Sequence, residues 1–295
     1  MIHAAVAAIS AIVAVFPAFA RQTVLPPSRP AEWTQRQAPF RIFGNTYYIG
    51  TRGLTAVLIT SEKGHVLIDG ALPESAAMIA DHIRTLGFRV EDVELIVNSH
   101  VHYDHAGGIG ALQRLSGALV AASPSSAAVF KSGRSGPDDP QYGLAVPIER
   151  VSNVQVIADG EVLRVGSLAI QGHFTGGHTP GGTSWTWRSC EGSECLNIVY
   201  ADSMTAVSAD TFKFSSSTTY PRAVADFEKS IAFLRKTPCD LLLTPHPDAS
   251  GLWDRVAKRD AGDRNALVER GHCSRYANRA ETGLRTRLAR EKKTP

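Results

Sequence analysis

Apolar residues follow two spacings along the chain. Between residues 40 and 70, the segments FRIFGNTYYIG, TAVLIT and GHVLIDG are rich in β-branched or aromatic residues and are broken by Gly and Asn. Such short segments predict a meander of antiparallel strands. The segment PESAAMIADHIRTLGF then carries apolar residues at helical spacing and stops at Gly87, so it predicts a helix after the strands.

The rest of the chain repeats this order of strands followed by helices. VELIVNSH predicts a buried strand, and residues 133 to 150 form a Pro- and Gly-rich connection that we expect near the surface. A second strand-rich half leads into the helical YPRAVADFEKSIAFLRKT, the strand DLLLTP and a helical C-terminus. Two such halves predict an α+β fold, a four-layer αβ/βα sandwich in which two mostly antiparallel sheets pack face to face with helices outside.

The N-terminus has the features of an export signal. HAAVAAISAIVAVFPAFA is an uncharged apolar run that ends in the small-x-small triplet Ala18-Phe19-Ala20, the pattern that signal peptidase needs. We expect a signal peptide at 1–20, although no Lys or Arg precedes the run, and a membrane anchor is the alternative. Cleavage would leave an N-terminal extension at 21–39 and a single domain at 40–295, including the C-terminal helix, in the periplasm and off the membrane.

Composition and charge narrow the possible partners. The 295 residues are 43% hydrophobic and 20% charged, which is ordinary for a globular protein with a large buried core. The formal net charge is +3, and the sequence has no long run of Lys and Arg interleaved with aromatic residues. The basic C-terminal segment carries Glu281 and Glu291 at helical spacing, which favours a solvated helix. We expect a monomer that binds no nucleic acid.

The four cysteines agree with an exported protein. An even number outside the cytoplasm permits two disulfides, with three possible pairings. We favour Cys190 with Cys195, which bracket a polar turn between two predicted strands, and Cys239 with Cys273, which would tie the C-terminal helix to the segment before DLLLTP. A zinc–thiolate site is the alternative, but the sequence contains no C-x-x-C pair.

Candidate functional side chains are most concentrated in the segment VNSHVHYDHAGG. Three histidines and an aspartate fall there within six consecutive positions. In an extended segment residues two apart face the same way, so His100, His102 and Asp104 can point into one cavity while His105 reaches it from the following turn. Burying this group without partners would be costly. A divalent metal removes the cost, and imidazoles combined with one carboxylate suit zinc.

Four side chains cannot complete two tetrahedral sites, so further ligands are expected at the ends of other strands. The best candidates are His178 in FTGGHTPGG and His246 in LLLTPHPDAS, because each follows a strand-like run and lies beside Gly or Pro. Five histidines and one aspartate would then bind two metal ions. His173 lies five residues before His178, and we interpret it as a structural or solvated histidine.

Together these motifs resemble a known family. The H-x-H-x-D-H cluster, GHTPGG, YADS and TPHP occur in the order expected of the metallo-β-lactamase superfamily, and their combination resembles the third subclass, B3, of the class B zinc β-lactamases. The resemblance covers residues 40 to 255. H-x-H-x-D-H alone indicates only the superfamily, which also includes thioesterases, lactonases and nucleases.

The resemblance implies how the ligands are divided. It assigns His100, His102 and His178 to the first zinc ion, and Asp104, His105 and His246 to the second. Another subclass supplies a cysteine from the strand that here reads IVYADSM, where Ser203 stands instead. Asp202 is an alternative that would bridge the metals. Strand alternation lets only one of Asp202 and Ser203 face the site, and we favour Ser203.

The resemblance also implies a reaction and its substrates. A hydroxide bridging two zinc ions would attack the ring amide of penicillins, cephalosporins and carbapenems, conferring antibiotic resistance. Asp104 would orient this nucleophile and is the expected catalytic residue. Ser203 and Thr205 would face the carboxylate of the antibiotic, directly or through water. Gln141 is a weaker candidate for substrate binding, with solvent exposure as the alternative.

One further residue is expected to support the metal site without binding metal. Asp69, which ends HVLIDG, resembles an aspartate that holds the ligands of this superfamily in place, and a turn residue before Gly70 is the alternative. Two other functions stay open. The same centre would also suit a lactone or thioester, and a zinc-binding module without turnover is the third possibility.

Overall fold

The computed structural model describes Met1 and residues 29–293. Apart from Met1, the predicted signal peptide at 1–20 lies outside the described residues, as do residues 21–28 of the predicted extension. Within the described part of the chain, no helix combines the length and the apolar character needed to cross a membrane.

The first sheet contains seven strands, which neighbour one another in chain order. They are β1 (Phe40–Phe43), β2 (Thr46–Tyr48), β3 (Val57–Ser61), β4 (Gly64–Ile68), β5 (Val93–Val97), β6 (Leu119–Ala122) and β7 (Val154–Val156). Strands β1 to β4 pair antiparallel, which confirms the predicted meander. The pairs from β4 to β7 are parallel, because helical connections return the chain to the same end of the sheet before each new strand.

The second sheet has five strands. They are β8 (Val162–Val165), β9 (Leu168–Phe174), β10 (Thr183–Glu191), β11 (Glu194–Tyr200) and β12 (Leu241–Leu243), and their order is β12-β11-β10-β9-β8. Within this sheet β11 and β12 pair in parallel, and the other neighbouring strands pair antiparallel. Strands β9, β11 and β12 therefore run in one direction, and their carboxyl ends lie at the same edge of the sheet.

Helices cover the outer faces of both sheets and complete the predicted four layers. The helices in the described part of the chain are α1 (Ala76–Thr85), α2 (Tyr103–Ala106), α3 (Ile109–Ser116), α4 (Pro124–Ser132), α5 (Ala223–Lys236), α6 (Leu252–Asp260) and α7 (His272–Glu291). Helices α1, α3 and α4 share one apolar cluster with the first sheet. Helices α5 and α7 share another with the second sheet. A third cluster fills the space between the sheets.

Strand β3 shows why the strands of the first sheet are apolar on both faces. Val57 and Ile59 join the cluster between the sheets, whereas Leu58 joins the cluster under the helices. Alternate residues of a strand point to opposite faces. Because both faces are covered, both sets of positions must be apolar.

Two disulfides reinforce the second half of the chain, and they are the pairings favoured from the sequence. Cys190 and Cys195 face each other across the turn between β10 and β11. Cys239 and Cys273 join the segment before β12 to the first turn of α7. The second bond fixes the start of the terminal helix against the second sheet.

Candidate metal centre

The predicted ligands follow strands of both sheets. His100 and His102 lie after β5, His178 lies after β9, and His246 lies after β12. The loops that follow these strands meet at one edge of the sandwich, so that residues far apart in the chain come together. This meeting brings the six predicted ligands into two adjoining groups.

The segment after β5 has a different conformation from the one that we predicted from the sequence. Strand β5 ends at Val97, His102 precedes α2, and Asp104 and His105 both lie on that short helix. The expectation that strand alternation would aim Asp104 was therefore wrong. A helical turn brings its carboxylate to the site instead.

The first group consists of three histidines. One ring nitrogen of each lies within 4.8 Å of the others, and all three side chains are buried. The opposite ring nitrogen of each histidine is held by the protein. The contacts are His100 Nδ1 with Oδ1 of Asp202 at 2.8 Å, His102 Nε2 with Oδ2 of Asp139 at 3.1 Å, and His178 Nδ1 with the carbonyl oxygen of Thr205 at 2.8 Å.

The second group consists of Asp104, His105 and His246. Oδ2 of Asp104 lies 3.2 Å from Nε2 of His105 and 3.5 Å from Nε2 of His246. The two Nε2 atoms are 3.2 Å apart. Three potential ligand atoms therefore converge on one small volume beside the first group.

Burial keeps two histidines of the first group, His100 and His178, neutral. It lowers the pKa of His100 well below the ordinary value, and the neighbouring charges of His105 and His178 lower it further. Burial and the charge of His102 lower the pKa of His178 to about 3. A neutral imidazole retains a lone pair, which is the form that binds a metal.

In the second group, Asp104 and His105 shift the pKa of each other in opposite directions. Burial alone would raise the pKa of Asp104, but the charge and hydrogen bond of His105 outweigh it and lower that pKa. Burial would lower the pKa of His105, but Asp104 outweighs it and raises that pKa. Burial and the charge of His105 lower the pKa of His246 to about 4. The lowered pKa keeps Asp104 ionised, which is the form of a carboxylate that binds a metal cation.

Both groups fit a metal ion. Nε2 of His100 is buried and has no hydrogen-bond partner within the described part of the chain. Leaving such an atom unsatisfied costs about 1–3 kcal/mol, and a cation at the centre of the group removes that cost. Imidazole nitrogens with one carboxylate are a donor set that suits divalent transition metals.

Asp69 holds the segment that carries the first histidine. Its carboxylate accepts hydrogen bonds from the backbone N–H and the hydroxyl of Ser99, both at 2.7 Å, and from the hydroxyl of Tyr200 at 2.7 Å. Asp69 has a φ of 63°, a conformation that is uncommon outside glycine and is found at functional sites. It thus fixes the residue before His100 without being a member of either ligand group.

Asp202 and Ser203 lie beyond the last strand that precedes them. Strand β11 ends at Tyr200, so strand alternation does not govern these two residues. Asp202 is fully buried and contacts the outer nitrogen of His100, and a Cβ at Gly182 would come within 2.3 Å of its Oδ2. This contact places Asp202 behind His100 instead of between the two groups, so the alternative of a bridging Asp202 is not what the structure has, and the orientation of Ser203 toward the site stays a prediction.

A cavity of about 510 Å³ lies over the two groups. Gln141 and Thr205 line it, as the substrate-binding prediction requires. Ser203 is 6% exposed and is not among the described residues that line the cavity, so its contact with substrate stays a prediction. Leu144 and Val207 also line the cavity and are 59% and 51% exposed, which gives it an apolar rim.

Sequence reasoning missed two residues beside the ligands. Trp33 lies in the segment interpreted as an extension, yet it lines the cavity and its ring centroid is 5.5 Å from that of His246. Asp139 is buried and contacts His102. A tryptophan in a Pro-rich segment was a feature that could have indicated a role for Trp33 at the site. Asp139 lies in a loop whose path no local pattern predicts.

His173 lies outside both ligand groups. Its Nε2 is 3.0 Å from the hydroxyl of Thr186, and its ring stacks on Phe233 with centroids 4.4 Å apart. Burial lowers its pKa. These contacts agree with the interpretation of a structural histidine.

Comparison with known proteins gives a consistent family. The model of the metallo-β-lactamase superfamily matches residues 49–186. Rm3 metallo-β-lactamase is 54% identical and superimposes with a TM-score of 0.87, covering 89% of this chain and 97% of Rm3. MEM-A1, a subclass B3 metallo-β-lactamase from a soil metagenome library, is 50% identical with a TM-score of 0.87, covering 89% of this chain and all of MEM-A1.

A more local similarity relates the chain to a curated protein with a different name. An N-acyl homoserine lactonase of Bacillus cereus is 31% identical over a stretch that covers 18% of this chain and 31% of the lactonase. The chain thus spans less than a third of the length of that curated relative.

The four-layer sandwich with two adjoining ligand groups at one edge defines a metal-binding enzyme. Together with the matches to Rm3 and MEM-A1 over nearly their whole length, it shows that the chain belongs to the metallo-β-lactamase superfamily. The family resemblance in the sequence is thereby confirmed.

Proposed function

We propose that this protein hydrolyses the ring amide of β-lactam antibiotics with two zinc ions, and that penicillins, cephalosporins and carbapenems are its substrates. One observation carries the proposal. Two groups of three potential ligands lie under a cavity of about 510 Å³ in a chain that is 54% identical to Rm3 metallo-β-lactamase over 97% of that enzyme. Pockets of this size suit ligands of a few hundred daltons.

Each group would hold one zinc ion through three protein ligands. The first ion would be bound by His100, His102 and His178, and the second by Asp104, His105 and His246. Catalytic zinc sites commonly keep three protein ligands, which leaves a position for water or substrate. When bound, zinc lowers the pKa of a water molecule to about 7 and polarises a carbonyl oxygen.

Asp104 is the residue that we propose to take part in the chemistry. Its carboxylate is buried, and the neighbouring His105 lowers its pKa, so that it is an ionised hydrogen-bond acceptor. Asp104 would accept a hydrogen bond from the attacking water and hold it in line with the amide carbonyl. Such orientation is a large part of catalysis in a preformed site.

Neutral donors and apolar side chains would bind the substrate. Thr205 and Gln141 line the cavity, and a hydroxyl or a side-chain amide can donate a hydrogen bond to a carboxylate. Trp33 and Leu144 present apolar surface to the same cavity. They would pack against the groups attached to the β-lactam ring and exclude water from the reacting bond.

We further propose that the protein is exported to the periplasm, acts there as a monomer, and confers antibiotic resistance. The apolar run ending at Ala20 and the two disulfides support export, since disulfides persist in oxidising compartments. A reporter fused after residue 39 would become periplasmic if the signal is functional. Retention of the fusion in the cytoplasm would contradict export.

Hydrolysis of nitrocefin, a penicillin, a cephalosporin and a carbapenem tests the activity directly. We expect turnover by the purified protein, loss of turnover after treatment with a chelator, and recovery on addition of zinc. Elemental analysis should give two zinc ions per chain at full activity. Full turnover by protein that elemental analysis shows to be free of transition metals would refute the proposal.

Lactone hydrolysis is the second candidate, and the local similarity to the lactonase of Bacillus cereus favours it. An N-acyl homoserine lactone should be assayed beside nitrocefin with the same zinc-loaded protein. Because Rm3 and MEM-A1 match over nearly their whole length, we expect the β-lactam to be hydrolysed with the higher kcat/KM. Efficient lactone cleavage without β-lactam turnover would reverse the order of the two functions.

A further inference from the structure

The loop between α4 and β7 carries a buried carboxylate that the proposed reaction does not use. Asp139 is 3% exposed, whereas its neighbour Asp138 is exposed. The two carboxylate oxygens of Asp139 lie 3.2 and 3.1 Å from Nε2 of His102. Aspartate is seldom fully buried unless it is paired, so the contact with His102 accounts for its position.

The same carboxylate shapes the loop that covers the cavity. Its Oδ1 accepts a hydrogen bond from the backbone N–H of Gln141 at 2.8 Å. The carbonyl of Gln141 in turn accepts hydrogen bonds from the N–H groups of Leu144 at 2.9 Å and Ala145 at 3.0 Å. Gln141, Leu144 and Ala145 all line the cavity. The turn that begins at Asp139 therefore sets the position of this wall.

The contact also decides which nitrogen of His102 is free. A carboxylate only accepts hydrogen bonds, so it favours the neutral tautomer of His102 that carries its proton on Nε2. The lone pair is then on Nδ1. This nitrogen lies 3.4 Å from Nε2 of the Gln141 side chain, at the cavity. A carboxylate on the outer nitrogen of a ligating histidine fixes the ring orientation and raises its basicity.

We propose that Asp139 is a positioning residue that couples the covering loop to metal binding. One carboxylate holds His102 in the tautomer that binds metal, and the same carboxylate places Gln141 over the first ligand group. The inference rests on the proposed function, because it requires that His102 binds a metal ion. Its distinctive consequence is that loss of Asp139 weakens metal binding and substrate binding together, whereas loss of Gln141 weakens substrate binding alone.

Four variants of the protein without the predicted signal peptide at 1–20 separate these effects. Asp139→Ala removes both contacts, and Asp139→Asn keeps an oxygen that can accept from His102 or Gln141. Gln141→Ala removes only the side chain that faces the cavity. Asp138→Ala is the matched control, because it removes an exposed carboxylate from the adjacent position. Zinc affinity is measured by competition with a chromophoric chelator, and KM and kcat are measured with nitrocefin at saturating zinc.

We expect Asp139→Ala to weaken the binding of one zinc ion by about 10–100-fold and to raise KM even when zinc is saturating. Asp139→Asn should recover part of the zinc affinity. Gln141→Ala should raise KM at unchanged zinc affinity, and Asp138→Ala should change neither quantity. Circular dichroism of the zinc-free variants verifies that they fold, and Asp139→Asn carries the test if Asp139→Ala does not.

Two results would overturn the coupling. Zinc affinities of folded Asp139→Ala and Asp139→Asn equal to that of the wild type would show that His102 does not need the carboxylate. Weakened zinc affinity with an unchanged KM at saturating zinc would confine Asp139 to the metal site and separate it from the loop. The wild type is measured in the same series, so a wild type that binds no zinc or hydrolyses nothing refutes the proposed function itself, and not merely the role of Asp139.

Discussion

Oδ1 of Asp202 lies 2.8 Å from Nδ1 of His100, and both side chains are buried. The contact joins the segment after β11 in the second sheet to the segment after β5 in the first. Tyr276 on α7 holds the backbone at this point, because its hydroxyl donates to the carbonyl of Asp202 and accepts from the N–H of Met204, both at 3.2 Å. The position of His100, which follows a strand of the first sheet, thus depends on the segment after β11, which the terminal helix holds in place.

Removing the carboxylate of Asp202 should therefore act on metal binding. We expect Asp202→Ala to weaken the affinity for one metal ion by about 10–100-fold, because the outer nitrogen of His100 loses its partner. Competition with a chelator measures this loss. Asp210→Ala, at an exposed position further along the same segment, is the control. Equal metal affinities of Asp202→Ala and the control would show that the contact does not orient His100.

Asp104 and His173 should differ sharply when each is replaced by alanine. Asp104→Ala should impair binding of the second metal ion and lower kcat by at least about 100-fold, since the attacking water loses its orientation. His173→Ala should stay within a few-fold of wild-type activity, because His173 contacts Thr186 and Phe233 and lies outside both groups. Kinetics on nitrocefin and zinc content per chain check both results. A His173 variant as inactive as the Asp104 variant would mean that the ligand set is wrong.

Measurements of KM should distinguish the roles of Ser203 and Thr205, the two residues with hydroxyl groups after β11. Thr205 lines the cavity, so Thr205→Val should raise KM about two- to tenfold, the equivalent of one neutral hydrogen bond. Ser203→Ala should also raise KM, without loss of zinc, if its hydroxyl reaches the substrate. The unchanged KM of a Ser203→Ala enzyme would instead assign this buried side chain to packing.

Part of the site could be predicted because its signals are local. His100, His102, Asp104 and His105 fall within six positions, and the flanks of His178 carry the Gly and Pro that make close turns possible. The alternation of strands and helices likewise predicted the layers, since each pattern depends on neighbours in sequence. The parallel pairs from β4 to β7 depend on how helices return the chain, and the sequence did not indicate them.

Other features of the site depend on contacts between distant parts of the chain. Asp139 and Asp202 reach their histidines over 37 and 102 positions, and no spacing rule relates such pairs. Trp33 reaches His246 from a segment that carries no regular pattern. The two groups of potential ligands were therefore predictable, whereas the contacts that Asp139, Asp202 and Trp33 make with them became visible only in the structure.

The terminal helix is attached to the second half of the fold through Glu291, and this attachment should depend on pH. Glu291 is buried and accepts hydrogen bonds from the backbone N–H groups of Phe214 and Ser215 and from Nε of Arg287. Burial alone would raise its pKa, but these hydrogen bonds outweigh it and lower the pKa below the ordinary 4.5. A carboxyl whose pKa is lowered in the folded state stabilises that state above its unfolded pKa, and the contribution is lost as pH falls through the folded value.

We therefore expect Glu291→Gln to lower the free energy of unfolding by about 1–3 kcal/mol at pH 7, and the difference from the wild type to shrink as pH falls below 4.5. Urea unfolding of both proteins between pH 3 and pH 7, in the presence of the disulfides, measures it. Glu228→Gln, at an exposed position on α5, controls for the loss of one negative charge. A Glu291→Gln penalty that is the same at every pH would show that the ionised carboxylate is not what holds the helix, because only a titrating group can change its contribution across this range.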